Sequence, residues 1–456
     1  MAASTPDKLV AFQWTPQPEA AALIGRMVSA WCELCPAADA LARRLRAETG
    51  TRLVDWIDHL MWPASAELES QLAETGFVPG YQGHTATWSH PLGIFPRIRL
   101  RAGVQPGAAL RVESVSDFLV AQRQSSEVAI DGQPLSPLRR ACVADHQGSE
   151  LWVFERNGSA GYNPIEVDDQ RAAAAQRHLD AFRNRPRAFA DSAEGFSQAA
   201  GLARAAIEEL GVDWTCALFF TAEREYWQGR NRAAQRQKAR QDQLGLGWGN
   251  HDHHTYRSSR EHFARLVSLL ELLGLECRER FYAGSEAGWG AQVLEQPHAG
   301  IVVFADVDLA ADEVADDFAH QSLDPQRQLG TVGLWCRLHG EAMLEAGMHH
   351  LEAQFAFDLA REQLRDAGVE TMAPFTDFPY LKQCFTRGEL WPVPAERVDA
   401  LLQDARLTPE QADQFRQQGA IGSHLEILER NDGYKGFNQT GVSEIIRATD
   451  PRQQKL

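Results

Sequence analysis

The 456-residue sequence is short of positive charge: 45 lysines and arginines stand against 62 aspartates and glutamates, for a formal net charge of −17. That deficit speaks against a nucleic-acid or anionic-membrane surface as the main partner, because both reward a basic face. Long apolar runs are missing too. No run of eighteen apolar residues occurs, so no membrane-spanning helix is predicted, and Met1-Ala2-Ala3-Ser4-Thr5-Pro6-Asp7-Lys8 lacks the charged-then-apolar layout of an export signal. Cysteine is sparse and odd in number, seven in all, which fits reduced thiols in the cytoplasm better than a disulfide framework. The one Cys-x-x-Cys, Cys32 and Cys35, lies in a helical stretch with no second pair to complete a zinc site.

What is present is an ordinary globular composition, 44% hydrophobic and 23% charged, which is enough for several folded units and leaves little room for disorder. Chemistry is concentrated in Gly247-Trp248-Gly249-Asn250-His251-Asp252-His253-His254-Thr255-Tyr256-Arg257, a glycine-rich turn, a histidine cluster and then an amphipathic helix. In an extended strand His251 and His253 project to one face while Asp252 and His254 project to the other. One such face offers metal ligands, but a catalytic metal takes about three protein ligands, so partners must come from elsewhere.

The order of elements suggests where. After a helical segment over residues 1–50, a strand over 52–60, a helix over 65–74 closed by Gly76, and strands over 85–89, 95–101 and 108–115 form one unit, residues 51–124. A second pass over residues 246–309 repeats the order, with the helix burying Phe263, Leu266, Val267, Leu270 and Leu273 and strands ending at Asp306. Asp58-His59 and Asp252-His253 stand at equivalent places, as do Glu113 and Asp306. The expected fold class is therefore α+β, with two βαβββ modules facing each other across a cupped sheet and large helical insertions. Residues 125–245 form an intervening α/β segment. Its basic run over 224–240 is either a solvated helix face or a clamp over an anionic substrate.

Residues 310–420 read as a helical insertion. Glu341, Glu345, His349 and Glu352 fall three or four apart, on one helix face, which without matching acids on a second helix reads as solvent-facing or interface structure. Thr408-Pro409-Glu410 is a helix start. The last segment, 421–456, carries a polar strand, Gly422 to Asn431, and a glycine-rich loop suited to lining a pocket. From spacing alone the site is one histidine from each module, His59 and His253, plus one carboxylate, although an isolated histidine on a strand is also a common hydrogen-bonded core residue. His251 is an alternative ligand or a partner of the ligand.

The Asp-His at the head of each module resembles the vicinal oxygen chelate superfamily. More narrowly, Asp252-His253-His254-Thr255-Tyr256-Arg257 and Glu426-Ile427-Leu428-Glu429-Arg430 with its following loop are similar to motifs of the 2-oxoadipate dioxygenase/decarboxylase (hydroxyglutarate synthase) family. The resemblance implies ferrous iron held by two histidines and a glutamate, here His59, His253 and Glu429, with Glu426 and Asp306 as alternatives to Glu429. It implies a small 2-oxo acid and dioxygen as substrates, with a 2-hydroxy acid and carbon dioxide as products. Arg257 and Arg260 would grip a substrate carboxylate, since a guanidinium fork matches it bidentately, and His253, Arg257 and Glu426 would be the catalytic set. This chain departs from the family at Pro63, where the family places its substrate-binding arginine, and in the helical residues ahead of the Glu-bearing strand. Two other readings stay open. One is an isomerase or lyase using zinc, manganese or another divalent metal without oxygen, with Glu113 or Glu426 as base; the other is a metal-free binding protein. Homo-oligomerisation is left open.

Overall fold

The computed structural model describes residues 14–82, 85–284, 287–326, 328–438 and 450–453. Two sheets organise the chain. The first runs β2-β3-β4-β1-β5-β7-β6, from β1 (Ile57–Pro63), β2 (Val78–Gln82), β3 (Thr85–Ser89), β4 (Arg97–Arg101), β5 (Gly107–Arg111), β6 (Leu138–His146) and β7 (Ser149–Arg156). The second runs β13-β14-β16-β12-β8-β11-β10-β9. Its strands are β8 (His251–Arg257), β9 (Glu276–Tyr282), β10 (Trp289–Gln296), β11 (Ile301–Asp308), β12 (His350–Gln354), β13 (Thr376–Phe378), β14 (Leu381–Phe385) and β16 (Ala420–Arg430), with β15 (Glu389–Trp391) paired to one end of β16.

Two βαβββ modules with long helical insertions are present. The first takes its trio from β2, β3 and β4, with the unread strand 78–82, while the strand expected over 108–115 is β5 and opens the next unit, so Glu113 does not stand where Asp306 does. In each module, a helix carries the chain from the first strand to an antiparallel trio whose last member returns parallel to the first: β1 beside β4, and β8 beside β11. Parallel neighbours need such a crossover. Ser65 caps the helix Ala66–Glu74 by accepting from the Leu68 N–H, and Gly76 leaves it at φ 89°. The helix Phe263–Leu272 buries Phe263, Leu266, Val267 and Leu270, the stripe its periodicity predicts.

The modules do not close on each other. Each is joined through antiparallel first strands to another unit of its own sheet, β1 to β5 and β8 to β12. The unit after β5 returns as β7, parallel to β5, and the unit after β12 returns as β16, parallel to β12. The stretch taken for a helical insertion thus supplies a complete strand-helix-strand-strand-strand unit, with the helices Ala395–Gln403 and Pro409–Gln418 inserted before its last strand. The Glu341-to-Glu352 helix expected from acid spacing does not form. Gly340 (φ 95°) and Gly347 (φ 77°) bracket a single turn, and His350-Leu351-Glu352-Ala353-Gln354 alternates as a strand. At the other end, residues 53–56 form a turn of 3₁₀ helix and β1 begins only at Ile57.

The glycine-rich turn before β8 is where the sheets meet. A Cβ on Gly249 would stand 2.4 Å from the Arg111 carbonyl oxygen, so only glycine lets β8 start directly against the end of β5. The basic run proves structural at its start: Arg224 is buried, with its guanidinium 3.4 Å from His254, while Arg230 donates to the Glu345 and Ala346 carbonyls and lies 4.0 Å over Trp391. No helix among the described residues is long and apolar enough to cross a membrane.

Candidate metal centre

On one face of the second sheet, alternate residues of three adjacent strands converge on a cavity. β8 presents His253, Thr255 and Arg257, β12 presents His350 and Glu352, and β16 presents Glu426. The parallel register of β12 on β16 puts Glu352 directly beside Glu426 and His350 beside His424. One ligand atom each from His253, His350, Glu352 and Glu426 lies within 4.8 Å of the others, and all four residues are buried. His350 Nε2 is 3.2 Å from Glu426 Oε2, and the Glu352 carboxylate touches His253 Nδ1. Gln383 donates to both carboxylates, at 3.3 and 3.0 Å.

Two carboxylates side by side inside a protein must share a proton or a cation. Burial, then the neighbouring Glu352, pushes the Glu426 carboxyl well above its ordinary range. Burial pushes His350 down, so its imidazole stays neutral and able to ligate. Glu352 Oε2 is the oxygen that meets His253 Nδ1, and it takes no other polar contact. Two imidazoles and two carboxylates, buried together with a donor atom of each within reach of one ion, fit a divalent transition metal.

The Asp252 carboxylate also meets His253 Nδ1, at 3.0 Å, the nitrogen that Glu352 touches, and accepts from Arg430 Nε and Nη2 at 3.0 and 3.1 Å and from Gln354 at 3.1 Å. Burial raises the Asp252 carboxyl, but Arg430 and His253 outweigh it and hold the group well below the usual carboxylate range. A fixed anion there sets the ring's orientation and tautomer. Asp252→Asn is therefore expected to weaken divalent-metal affinity roughly 10- to 100-fold without unfolding the protein, as measured by competition with a metal-sensitive dye.

The first sheet carries the same backing without the ligands. His59 Nδ1 is 2.6 Å from Asp58, which is paired in turn with Arg156 at 2.7 Å. Arg156 ends β7 as Arg430 ends β16, and Ala109 pairs with Trp152 there as Glu352 pairs with Glu426 in the second sheet. The positions of His350, Glu352 and Glu426 are thus taken by Gly107, Ala109 and Trp152. His59 packs edge-on to Phe154 and Tyr162, at 4.9 and 4.6 Å between ring centroids, and burial pushes it down to about 4. It stands in a different sheet from His253 and outside the four-residue cluster.

The remaining sequence candidates separate clearly. Glu429 points away from Glu426, accepts from the Phe357 N–H at 2.7 Å and so caps the helix Phe357–Asp366. His251 faces the carbonyls of Trp248 and Gly300. Arg260 is tied to Glu313 and to the Asp308 and Asp324 carbonyls, outside the cavity. Glu113 pairs with Lys238 at 3.1 Å. Arg257 does line the cavity; it is 5% exposed, and its Nε and Nη1 have no partner. Asp306 lines the cavity beside it without joining the cluster. His350 was not among the sequence candidates, and Glu352 was read on a solvent-facing helix face; the signal for both was the alternation after Gly347. Around the cluster Phe281, Trp289, Phe304, Phe375, Phe385 and Phe437 form an aromatic wall, with Phe304 and Phe437 at 4.5 and 5.3 Å from His253 between ring centroids.

Burial pushes the Asp306 carboxyl up to about 8, against the pull of Arg257. Folded protein then keeps a proton that the unfolded chain loses above its ordinary value of about 4. This group's contribution to stability is full below about pH 4 and is lost as pH rises to about 8. Urea midpoints of metal-free protein should accordingly fall between pH 5 and 8 more steeply for wild type than for Asp306→Asn; parallel slopes would refute the assignment.

No family model matches the chain, and no curated protein matches it. Solved structures give weak likenesses. A variant of 4-hydroxymandelate synthase from Streptomyces coelicolor shares 12% identity over 88% of this chain and 99% of its own, with a TM-score of 0.30. Methylmalonyl-CoA epimerase from Mycobacterium tuberculosis shares 12% over 40% of this chain and 88% of its own, at 0.24. A catechol 2,3-dioxygenase shares 10% over 85% and 92%, at 0.19. The strand order decides the architecture. It is a pairing of βαβββ modules with further strand-helix-strand units, built in two sheets. The chemical reading rests on the chain's own residues.

Proposed function

We propose that the chain is a metal-dependent enzyme of the vicinal oxygen chelate superfamily, acting on a small organic acid at the cavity on one face of its second sheet. The observation that carries this is the buried His253, His350, Glu352 and Glu426 cluster, with the unpaired guanidinium of Arg257 facing the same aromatic cavity. His253, His350 and Glu426 would hold the metal. Ferrous iron on two imidazoles and one carboxylate supplies open coordination positions and oxygen chemistry. Arg257 would bind a substrate carboxylate, and the phenylalanine wall would exclude water and pack the carbon chain. Asp306, protonated near neutral pH, would hold a proton beside that carboxylate.

The preferred reaction is oxidative decarboxylation of a 2-oxo acid: substrate and dioxygen give one carbon dioxide and a 2-hydroxy acid one carbon shorter. Glu352 favours a second reading. A carboxylate beyond the three ligands is a ready general base, and proton transfer next to a carbonyl needs no oxygen. Ferrous-loaded protein offered a panel of short 2-oxo acids decides between them. Equal oxygen uptake and carbon dioxide release supports the first reading. Exchange of substrate hydrogen with deuterated solvent without oxygen uptake replaces it with the second, and neither signal across the panel removes both.

A further inference from the structure

A second cavity, about 490 Å³ in volume, lies between the two sheets and takes its walls from both. Its polar lining is dominated by guanidinium groups: Arg52, Arg97, Arg111, Arg156 and Arg430. Three of these are neutralised within the protein. Arg52 is held by Asp55 at 2.6 Å, Arg156 by Asp58 and Arg430 by Asp252. Arg97 and Arg111 are not. Arg97 donates to the Ala160 carbonyl at 3.1 Å and Arg111 to the Ala299 carbonyl at 3.3 Å, and neither forms an ion pair among the described residues. The lining carboxylates Asp55 and Asp58 are already committed, which leaves Asp432 as the other acid on the wall.

Arg111 is built into this place. A Cβ on Gly300 would stand 2.9 Å from Arg111 Nη1, so a glycine makes room for the guanidinium head. Burial pushes Arg111 down to about 10, with Asp58 pulling the other way and Arg224, Arg156 and Arg97 adding to the fall. A part-buried cation among cations, with no ion-pair partner among the described residues, is open to an anion. The opposite side of the chamber is apolar, with Ile24, Val28, Trp56, Ile57, Ile94 and Phe95.

We propose that this chamber binds an organic anion, its carboxylate or phosphate gripped by Arg97 and Arg111 and its apolar body laid against Ile24, Trp56 and Phe95. Neither arginine lines the metal cavity, so the site is separate from the proposed active centre. It is nevertheless connected to it, because Arg430 and Gln354 reach from the chamber wall to Asp252, which backs His253. An occupant that draws on Arg430 would alter the support of His253.

Calorimetric titration of the full chain at fixed ionic strength, with phenyl phosphate and with phenylacetate as probes, tests this and separates the two headgroups. Saturable one-site binding of at least one probe is expected. It should weaken about tenfold or more in Arg97→Gln and in Arg111→Gln, and stay at the wild-type level in Arg257→Met. Arg111→Lys, which keeps the charge and loses the fork, guards against misfolding of the glutamine variants and should bind more weakly than wild type. Absence of saturable binding of both probes up to about 10 mM overturns the proposal. So does binding abolished by Arg257→Met and untouched by the Arg97 and Arg111 variants.

Discussion

His253→Ala is expected to remove tightly bound divalent metal and all metal-dependent turnover, while His59→Ala leaves both at the wild-type level. The two histidines look alike in sequence, each following an aspartate at the head of a βαβββ module. Their surroundings differ in kind. His253 faces two carboxylates and a second imidazole within ligand distance of one ion; His59 faces Phe154 and Tyr162, with Ala109 and Trp152 where the carboxylates would be. Removing one of three protein ligands typically takes the site out of the useful affinity range, since the two imidazoles and the carboxylate act together. Metal content after anaerobic ferrous loading and desalting checks the pair. Equal metal in both variants would mean that the second sheet is not the binding face.

The second large effect concerns Arg257. With a substrate that reports turnover, Arg257→Met is expected to lower kcat/KM by roughly 30- to 1,000-fold, corresponding to about 2 to 4 kcal/mol for a buried charge-assisted pair. Metal content should be unchanged. The guanidinium is buried, two of its nitrogens have no protein partner, and Asp306 beside it keeps its own proton near neutral pH. It is thus a cation held ready for an anion that the protein does not supply. Arg257→Lys should recover only part of the loss, because an ammonium cannot match a carboxylate bidentately. Steady-state kinetics of the three proteins test this, and an unchanged kcat/KM in Arg257→Met would remove Arg257 from the substrate site.

The parts of the fold that were legible in the sequence are those where period and punctuation agree. The strand from His251 to Arg257, the helix with Phe263, Leu266, Val267 and Leu270 on one face, and the Thr408 cap with its reciprocal Gln411 bond all follow local rules that the tertiary structure leaves intact. His350 and Glu352 were hidden because acids and histidines at three- and four-residue spacing imitate a helix face. The cue against that reading lay in Gly340 and Gly347, whose backbone conformations end a helix before β12 begins. Pairing was hidden for a different reason. Which strand lies beside β8 is set by long-range register, and a repeated Asp-His motif pointed to the wrong partner; β12 and β16 bring the other ligands because β12 hydrogen-bonds to both β8 and β16. Glu426 and Glu429 show the same limit at finer scale. Three residues apart on a strand, they face opposite ways, and only the register with Glu352 tells which one faces the cavity.

Anaerobic calorimetric titration with ferrous iron, repeated in two buffers of different ionisation heat, tests the central claim most directly. The two adjacent buried carboxylates, with the Glu426 carboxyl pushed well above its ordinary range, share a proton in metal-free protein, so a metal that takes this site must displace it. The account predicts one ion bound per chain with net proton release, both lost in the Glu352→Gln/Glu426→Gln double variant. Undiminished binding in that variant, or no saturable binding in the wild type, would contradict it.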